Sequence, residues 1–265
     1  MVQLPLKKNG VAFFDLDGPL RGGSAFDWPK FLLKEGLITP KQWQPVTDAT
    51  EKYKKGTCSY RELGIIIGDV YANTLKGKKV SDLERLAKKF VSTPEISKLH
   101  AHSIDLVKTL DPHCVTCLVT GEPIEVAREF ARVLGINEVN GTTVQSRNDI
   151  YTGKLTSNNI VFEGKKESLR GLFRKHQDNI KKSFAFGDQL EDRVMLGNVE
   201  VPIALNPDSK LKALAEKQHW IICESQNVLE QVRARLKAKY THPRKIPRSK
   251  RKKLAKKIQT RFRRL

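Results

Sequence analysis

An apolar run that ends in two carboxylates most constrains how this chain can fold. Residues 11–14 read Val-Ala-Phe-Phe, which suits a strand buried on both faces of a sheet, and Asp15-Leu-Asp17-Gly18 follows at once. Side chains two apart on extended backbone point to the same side, so Asp15 and Asp17 arrive together at the C-terminal end of that strand. In an open α/β sheet the crevice beyond the strand C-termini is where ligands bind. Two acids facing one crevice repel each other unless a cation or a shared proton stands between them. Alone, the segment reads equally well as a polar strand end running into an Asp-Gly turn. The rest of the chain decides between the two.

Five short apolar stretches, at 11–14, 115–119, 183–186, 201–204 and 220–223, read as strands, and helical patterns at 124–134 and 211–215 fall between the later ones. Strands alternating with helices predict an α/β fold, a doubly wound (Rossmann-like) parallel sheet. About a hundred residues separate the first two strands, far more than one crossover helix needs. That insert, residues 26–99, carries Leu63, Ile66, Ile67 and Val70 at helical spacing and is punctuated by Gly36, Pro40, Gly56, Gly77 and Pro94. Its place directly after the acidic strand predicts a helical cap over the crevice. Beta-branched residues around Arg147-Asn-Asp149 predict a hairpin between 142 and 155, at the edge of the core. Val228, Leu229, Val232 and Leu236 predict a last amphipathic helix, before Pro243 and Pro247 interrupt helix formation. The expected organisation is a core of residues 1–25 and 100–239, a cap of residues 26–99 and a tail of residues 240–265.

Charge sets that tail apart. It holds twelve of the 49 Lys and Arg residues and none of the 29 Asp and Glu, which leaves 37 basic against 29 acidic residues in the body. Leu254, Ile258, Phe262 and Leu265 form one apolar stripe along it. A basic amphipathic helix suits an anionic membrane surface, at about 1 kcal/mol per basic residue, and suits nucleic-acid phosphates equally. A solvated tail and a nuclear-localisation run at Ser249-Lys-Arg-Lys-Lys253 are further readings. No run approaches the ~20 apolar residues of a membrane-spanning helix, and the N-terminus lacks the order of a secretory signal. Four cysteines are too few for a disulfide scaffold of this size, so the expected location is cytoplasmic, peripheral at a membrane if the tail binds there. Cys114-Val-Thr-Cys117 has the spacing of a redox or metal pair, yet positions three apart on a strand face opposite sides; both read as buried thiols.

Three further segments carry chemistry. The second strand ends in Thr120-Gly121 ahead of a helix that begins near Pro123, where a hydroxyl and free amides make a phosphate cradle or Thr120 merely caps the helix. Lys165 follows Gly164 at the start of a helical pattern, where a cation opposes the helix dipole unless an anion binds it; Lys166 is its rival. Gly187-Asp188 follows a buried strand, and Asp188 and Asp192 stand four apart. Oxygen ligands from Asp15, Asp188 and a backbone carbonyl, with waters, are what Mg²⁺ prefers.

In this order the residues resemble the four motifs of the haloacid dehalogenase-like (HAD) superfamily: Asp15-Leu-Asp17-Gly18, Thr120, Lys165, and Gly187-Asp188 with Asp192. The stretches Thr120-Gly-Glu-Pro-Ile-Glu-Val-Ala, Tyr151-Thr-Gly-Lys-Leu and Glu163-Gly-Lys165 look most like the phosphoserine-phosphatase-like subfamily IB. The resemblance implies a Mg²⁺-dependent phosphomonoesterase. Asp15 would form an aspartyl-phosphate, and Asp17 would protonate the leaving oxygen and then activate water. Thr120, the Gly121 amide and Lys165 would hold the phosphoryl oxygens. Asp15, Asp188 and the carbonyl of Asp17 would hold the metal, with Asp192 orienting the metal shell or Lys165.

The chain departs from that pattern at several positions. Pro19 stands where the family usually has Thr, and Glu191 where a small or amide residue is usual. The substrate-binding Glu of phosphoserine phosphatases has no counterpart in Arg21-Gly-Gly-Ser24. Arg21 near the crevice mouth suits a second anionic group, so a lipid-linked or otherwise polyanionic phosphate ester is the expected substrate. The alternative is a nucleic-acid-binding protein that uses its basic tail and keeps the core as a scaffold, although a scaffold has no physical need of clustered carboxylates. His100 and His102 lie away from every motif and read as ordinary surface or packing residues.

Overall fold

Strand β1 (Gly10–Phe14) is buried along its whole length, as its run of apolar residues requires. In the computed structural model, residues 8–241 other than 93 and 178 are described, so nearly all of the basic tail lies outside the described residues. β1 pairs in parallel with β2 (Cys114–Pro123) on one side and β5 (Phe184–Gly187) on the other. Beyond β2 lie β3 (Glu138–Arg147) and β4 (Ile150–Ser157); beyond β5 lie β6 (Val201–Leu205) and β7 (Ile221–Cys223). The order is β4-β3-β2-β1-β5-β6-β7, parallel throughout except for the β3–β4 hairpin. The chain thus winds outward from β1 in both directions. The switch point, where a crevice opens, is at the end of β1.

Alternation along β1 feeds two apolar layers. Ala12 and Phe14 belong to one cluster with Trp28, Phe90, Phe130 and Val232, while Val11 and Phe13 belong to another with Leu169, Phe173 and Leu211. The first layer carries α1 (Asp27–Lys34), α2 (Pro40–Lys54), α3 (Tyr60–Leu75), α4 (Val80–Val91), α5 (Ser103–Leu110), α6 (Ile124–Leu134) and α10 (Val228–Thr241). The second carries α7 (Phe162–Lys175), α8 (Arg193–Leu196) and α9 (Ser209–Gln218). This is the doubly wound α/β fold that the alternation predicts. Among the described residues no helix is long and apolar enough to cross a membrane.

The insert folds as the four helices α1–α4. Capping boxes start α2 (Thr39 with Gln42) and α3 (Ser59 with Glu62), satisfying amides that the first turn leaves without partners. Trp28 and Phe90 meet edge-on at 5.2 Å between ring centroids, and the Trp28 indole donates to the Tyr71 hydroxyl (3.2 Å), so α1, α3 and α4 share one aromatic cluster. On α3, a Cβ at Gly64 would come within 2.9 Å of a Val161 methyl. Glycine there lets the helix approach the loop before α7, and the Asn158 amide donates to the Gly64 carbonyl (3.2 Å). The connection between α3 and α4 is tied to the hairpin by Gly77 N–H to Tyr151 O, Tyr151 N–H to Lys78 O and Val80 N–H to Asp149 O, each 2.9 Å.

The two strands beyond the five apolar ones are those of the expected hairpin, at the edge of the sheet. The hairpin is longer than residues 142–155, because β3 begins at Glu138 and its first residues pair in parallel with β2. Its mixed polar residues hide that role. Asn148 and Asp149 turn the hairpin with φ of 49° and 64°, a two-residue turn of the kind that these side chains tolerate.

Candidate active site

Past β1 the Asp15 amide still donates to Phe186 O (3.0 Å), and the chain then closes into a tight loop in which Gly18 N–H donates to Arg21 O (2.8 Å). Gly18 has φ of +100°, and a Cβ on it would collide with the Asp188 carboxylate. The loop is held from behind through three consecutive carbonyls. His100 Nε2–H donates to Gly18 O (2.9 Å), His102 Nε2–H to Pro19 O (2.9 Å) and Ser103 Oγ–H to Leu20 O (2.7 Å). His100 and His102 therefore support the first motif rather than standing away from it, a link between segments 82 or 83 residues apart that no spacing rule reads. The loop is gripped through its carbonyls, so the N–H that Pro19 lacks is not part of that grip.

Lys165, in the first turn of α7 and 5% exposed, extends its ammonium to Asp15 Oδ1 (3.0 Å) and Asp192 Oδ1 (2.6 Å). Burial works against that charge, but the two carboxylates more than offset it and hold the lysine above its ordinary range. Lys166 instead lies over the Phe162 ring, 6.0 Å from its centroid. Asp192 is fully buried, and its second oxygen accepts from the amides of Asp188 (3.0 Å) and Gln189 (3.2 Å). With both oxygens engaged, Asp192 fixes the β5 loop and the lysine together.

Thr120 and Gly121 reach the same cavity, but not as a helix cap. β2 runs on to Pro123 with a shift in its register, Thr120 Oγ accepts from the Glu122 amide (3.1 Å), and α6 begins at Ile124 with no side-chain cap. Asp15, Asp17, Thr120, Gly121, Lys165 and Asp192 all line one cavity of about 320 Å³, which Tyr60 of α3, Trp28 of α1 and Glu191 also border.

Arg21 overturns an expectation. It is 0% exposed, stacked 4.9 Å from the Phe130 centroid, and surrounded by carboxylates: Asp27 at 2.9 Å, Asp17 at 3.4 Å, Glu95 at 3.5 Å and Glu122 at 3.9 Å. A guanidinium enclosed this way cannot reach a second anionic group on a substrate. Glu122, which the sequence did not mark, is 2% exposed and lines the cavity, and neither of its oxygens has a hydrogen-bond partner. Burial, and then the charge of Asp17, hold it well above the usual carboxylate range, against the pull of Arg21. Burial likewise raises Asp17, against the pull of Arg21.

The acids at the strand ends suit a hard divalent cation. Asp15, Asp188 and Asp192 each place an oxygen within 4.8 Å of the others, and Asp188 Oδ1 is buried with no hydrogen-bond partner. Burial, then Asp15 and Asp192, push the Asp188 carboxyl up to about 9; burial, with Asp192 and Asp17 adding to it against Lys165, pushes Asp15 up to about 7. Lys165 alone does not offset the burial and mutual repulsion of these acids, and an all-oxygen donor set is the Mg²⁺ preference.

Comparison with known proteins agrees with this architecture. A putative hydrolase of Mycobacterium leprae is 28% identical over 223 residues, covering 83% of this chain and 74% of that protein. A phosphoserine phosphatase of Mycobacterium tuberculosis is 27% identical over 233 residues, covering 83% and 72%. Among solved structures, a protein of unknown function from Bordetella pertussis superposes with a TM-score of 0.70 at 22% identity, over 83% of this chain and all of that one, and shares the fold. Residues 12–197 match the haloacid dehalogenase-like hydrolase family, which takes in every strand end that carries an acid described above. The chain belongs to the haloacid dehalogenase-like hydrolases.

Proposed function

We propose that this hydrolase is a Mg²⁺-dependent phosphomonoesterase that carries the phosphoryl group on Asp15. The observation that supports it most is the Asp15–Lys165–Asp192 chain of contacts, set in a cavity that also takes in Asp17 and Thr120. The Asp15 carboxylate attacks phosphorus, and the ester P–O bond breaks as Asp17 gives its proton to the departing oxygen. The raised proton affinity of Asp17 suits that role. The Lys165 ammonium, the Thr120 hydroxyl and the Gly121 amide balance charge on the phosphoryl oxygens. Water then attacks the phosphorus of the Asp15 acyl phosphate and passes a proton to Asp17, which releases inorganic phosphate and restores both carboxyls. Asp15, Asp188 and the Asp17 carbonyl would hold Mg²⁺, which would supply positive charge to offset the repulsion between a carboxylate nucleophile and an anionic phosphate. Asp192 positions Lys165.

Residues 26–99 act as the cap that selects the substrate, over a core of residues 1–25 and 100–239. A small phosphate ester is the substrate class, and the phosphoserine phosphatase relative makes phosphoserine the first ester to test. A lipid-linked or polyanionic ester, reached by way of an anionic surface, now rests on the basic tail alone, since Arg21 is enclosed. Turnover of an aryl phosphate by the full chain, with Mg²⁺ or with EDTA, and by Asp15→Asn tests the reading. The expected loss is at least about 10³-fold in Asp15→Asn. Equal rates in wild type and variant across a panel of phosphate esters would reject it.

A further inference from the structure

We propose that Cys117, Glu138 and His176 form a second metal site, one that takes a borderline-soft divalent cation such as Zn²⁺ and lies apart from the carboxylate centre. The Cys114–Cys117 spacing is not a pair: Cys114 packs in the apolar layer of α5 and α6, and Cys117 in the layer of α7. Cys117 finds different company. It is 0% exposed, and its Sγ lies 3.9 Å from Glu138 Oε2, on the neighbouring strand in register with it. His176, the C-cap of α7 and buried, brings Nε2 to 3.0 Å from the same oxygen. The three donor atoms all lie within 4.8 Å of one another.

The two edges that meet at Glu138 Oε2 are close to those around a tetrahedral ion. Zn–S of about 2.3 Å with Zn–N and Zn–O of about 2.0–2.1 Å puts neighbouring ligand atoms roughly 3.3–3.5 Å apart. The observed edges of 3.0 and 3.9 Å need adjustments of a few tenths of an ångström. Lys175 donates to the other Glu138 oxygen (2.8 Å), which fixes the carboxylate as an outer partner does. Thiolate with imidazole selects Zn²⁺ or Co²⁺ over Mg²⁺, whereas the all-oxygen set at Asp15 and Asp188 does the reverse. Three protein ligands leave one position for water, and binding releases the Cys117 proton to solvent. The ion would tie the C-terminal end of α7 to β2 and β3, at the far end of the helix that carries Lys165.

The inference does not depend on the phosphatase reading, and its test uses Co²⁺ as a spectroscopic probe of the full chain. With Mg²⁺ present in excess to occupy the carboxylate centre, one equivalent of Co²⁺ should give a near-ultraviolet thiolate charge-transfer band, which no carboxylate site produces. Zn²⁺ should bleach that band stoichiometrically. Cys117→Ser should abolish it, His176→Gln should weaken Co²⁺ binding at least about tenfold, and Cys114→Ser should change nothing. No band in wild type, or a band that survives Cys117→Ser, overturns the site. Should Cys117→Ser fail to fold, His176→Gln decides alone: unchanged Co²⁺ affinity overturns it.

Discussion

The Lys165 ammonium lies 3.0 Å from Asp15 Oδ1, joining residues 150 positions apart at the switch point of the sheet. Removing the lysine leaves Asp15 and the fully buried Asp192 without their shared cation. Lys165→Met is expected to cost about 3–5 kcal/mol of stability, and to lower kcat on an aryl phosphate at least about 10²-fold. Lys165→Arg should not restore turnover, because a planar guanidinium does not fit a point-charge site. Thermal melts and steady-state kinetics check both; a Met variant with wild-type kcat would remove Lys165 from the machinery.

Metal and pH should act together on stability. Without a cation, Asp188 (about 9) and Asp15 (about 7) hold protons that the unfolded chain gives up near its ordinary value of 3.8. The metal-free protein therefore binds more protons folded than unfolded between these values, and loses stability as pH rises from about 4 toward about 9. A bound cation needs the carboxylates, so its stabilisation grows over the same window. Melting temperatures measured in EDTA and in saturating Mg²⁺ should diverge steadily from pH 5 to pH 9. A gap that stays constant would sink this account.

Arg21 and Glu122 should answer substitution very differently. Arg21→Met strands Asp17, Asp27 and Glu95 around an apolar side chain and is expected to destabilise by about 3–5 kcal/mol. Burial favours the neutral form of Glu122, which glutamine mimics, so Glu122→Gln should stay within about 1 kcal/mol of wild type. Denaturant unfolding of the two variants checks this. Equal destabilisation would mean that Glu122 is ionised in the native protein.

The two histidines behind the first motif should matter for rate more than for fold. Alanine at His100 or His102 frees a carbonyl of the loop that carries Asp17, and a loosened loop is expected to lower kcat about 10–100-fold. His102→Gln, which can still donate to Pro19 O, should recover part of the loss. Burial also lowers the proton affinity of His102, so stability that depends on its neutral form is lost as pH falls below about 6.5. Alanine variants with full kcat would leave these rings as packing only.

Much of the architecture was legible because local pattern and burial agree. The strand at 11–14, the helix at 124–134 and the helical insert all form where apolar spacing places them. The acids Asp15, Asp188 and Asp192 and the ammonium of Lys165 also converge, since strand ends at a switch point bring distant segments together. Other features escaped because they depend on tertiary partners. The start of β3 is recognisable only beside β2, and the roles of His100 and His102 only beside the carbonyls they hold. Arg21 was misread because a lone basic residue in a glycine-rich loop gives no sign of the carboxylates that Asp27, Glu95 and Glu122 contribute from elsewhere.

The hydrogen bonds between the α3–α4 connection and Tyr151 and Asp149 also bear on how the protein avoids its own copies. β4 is the outermost strand on its side of the sheet, with amides and carbonyls facing outward as a template for another chain. Residues 77–80 occupy the start of that template. Excising the insert would therefore expose a bare sheet edge as well as open the cavity, and a trimmed core should be prone to self-association before any question of catalysis arises.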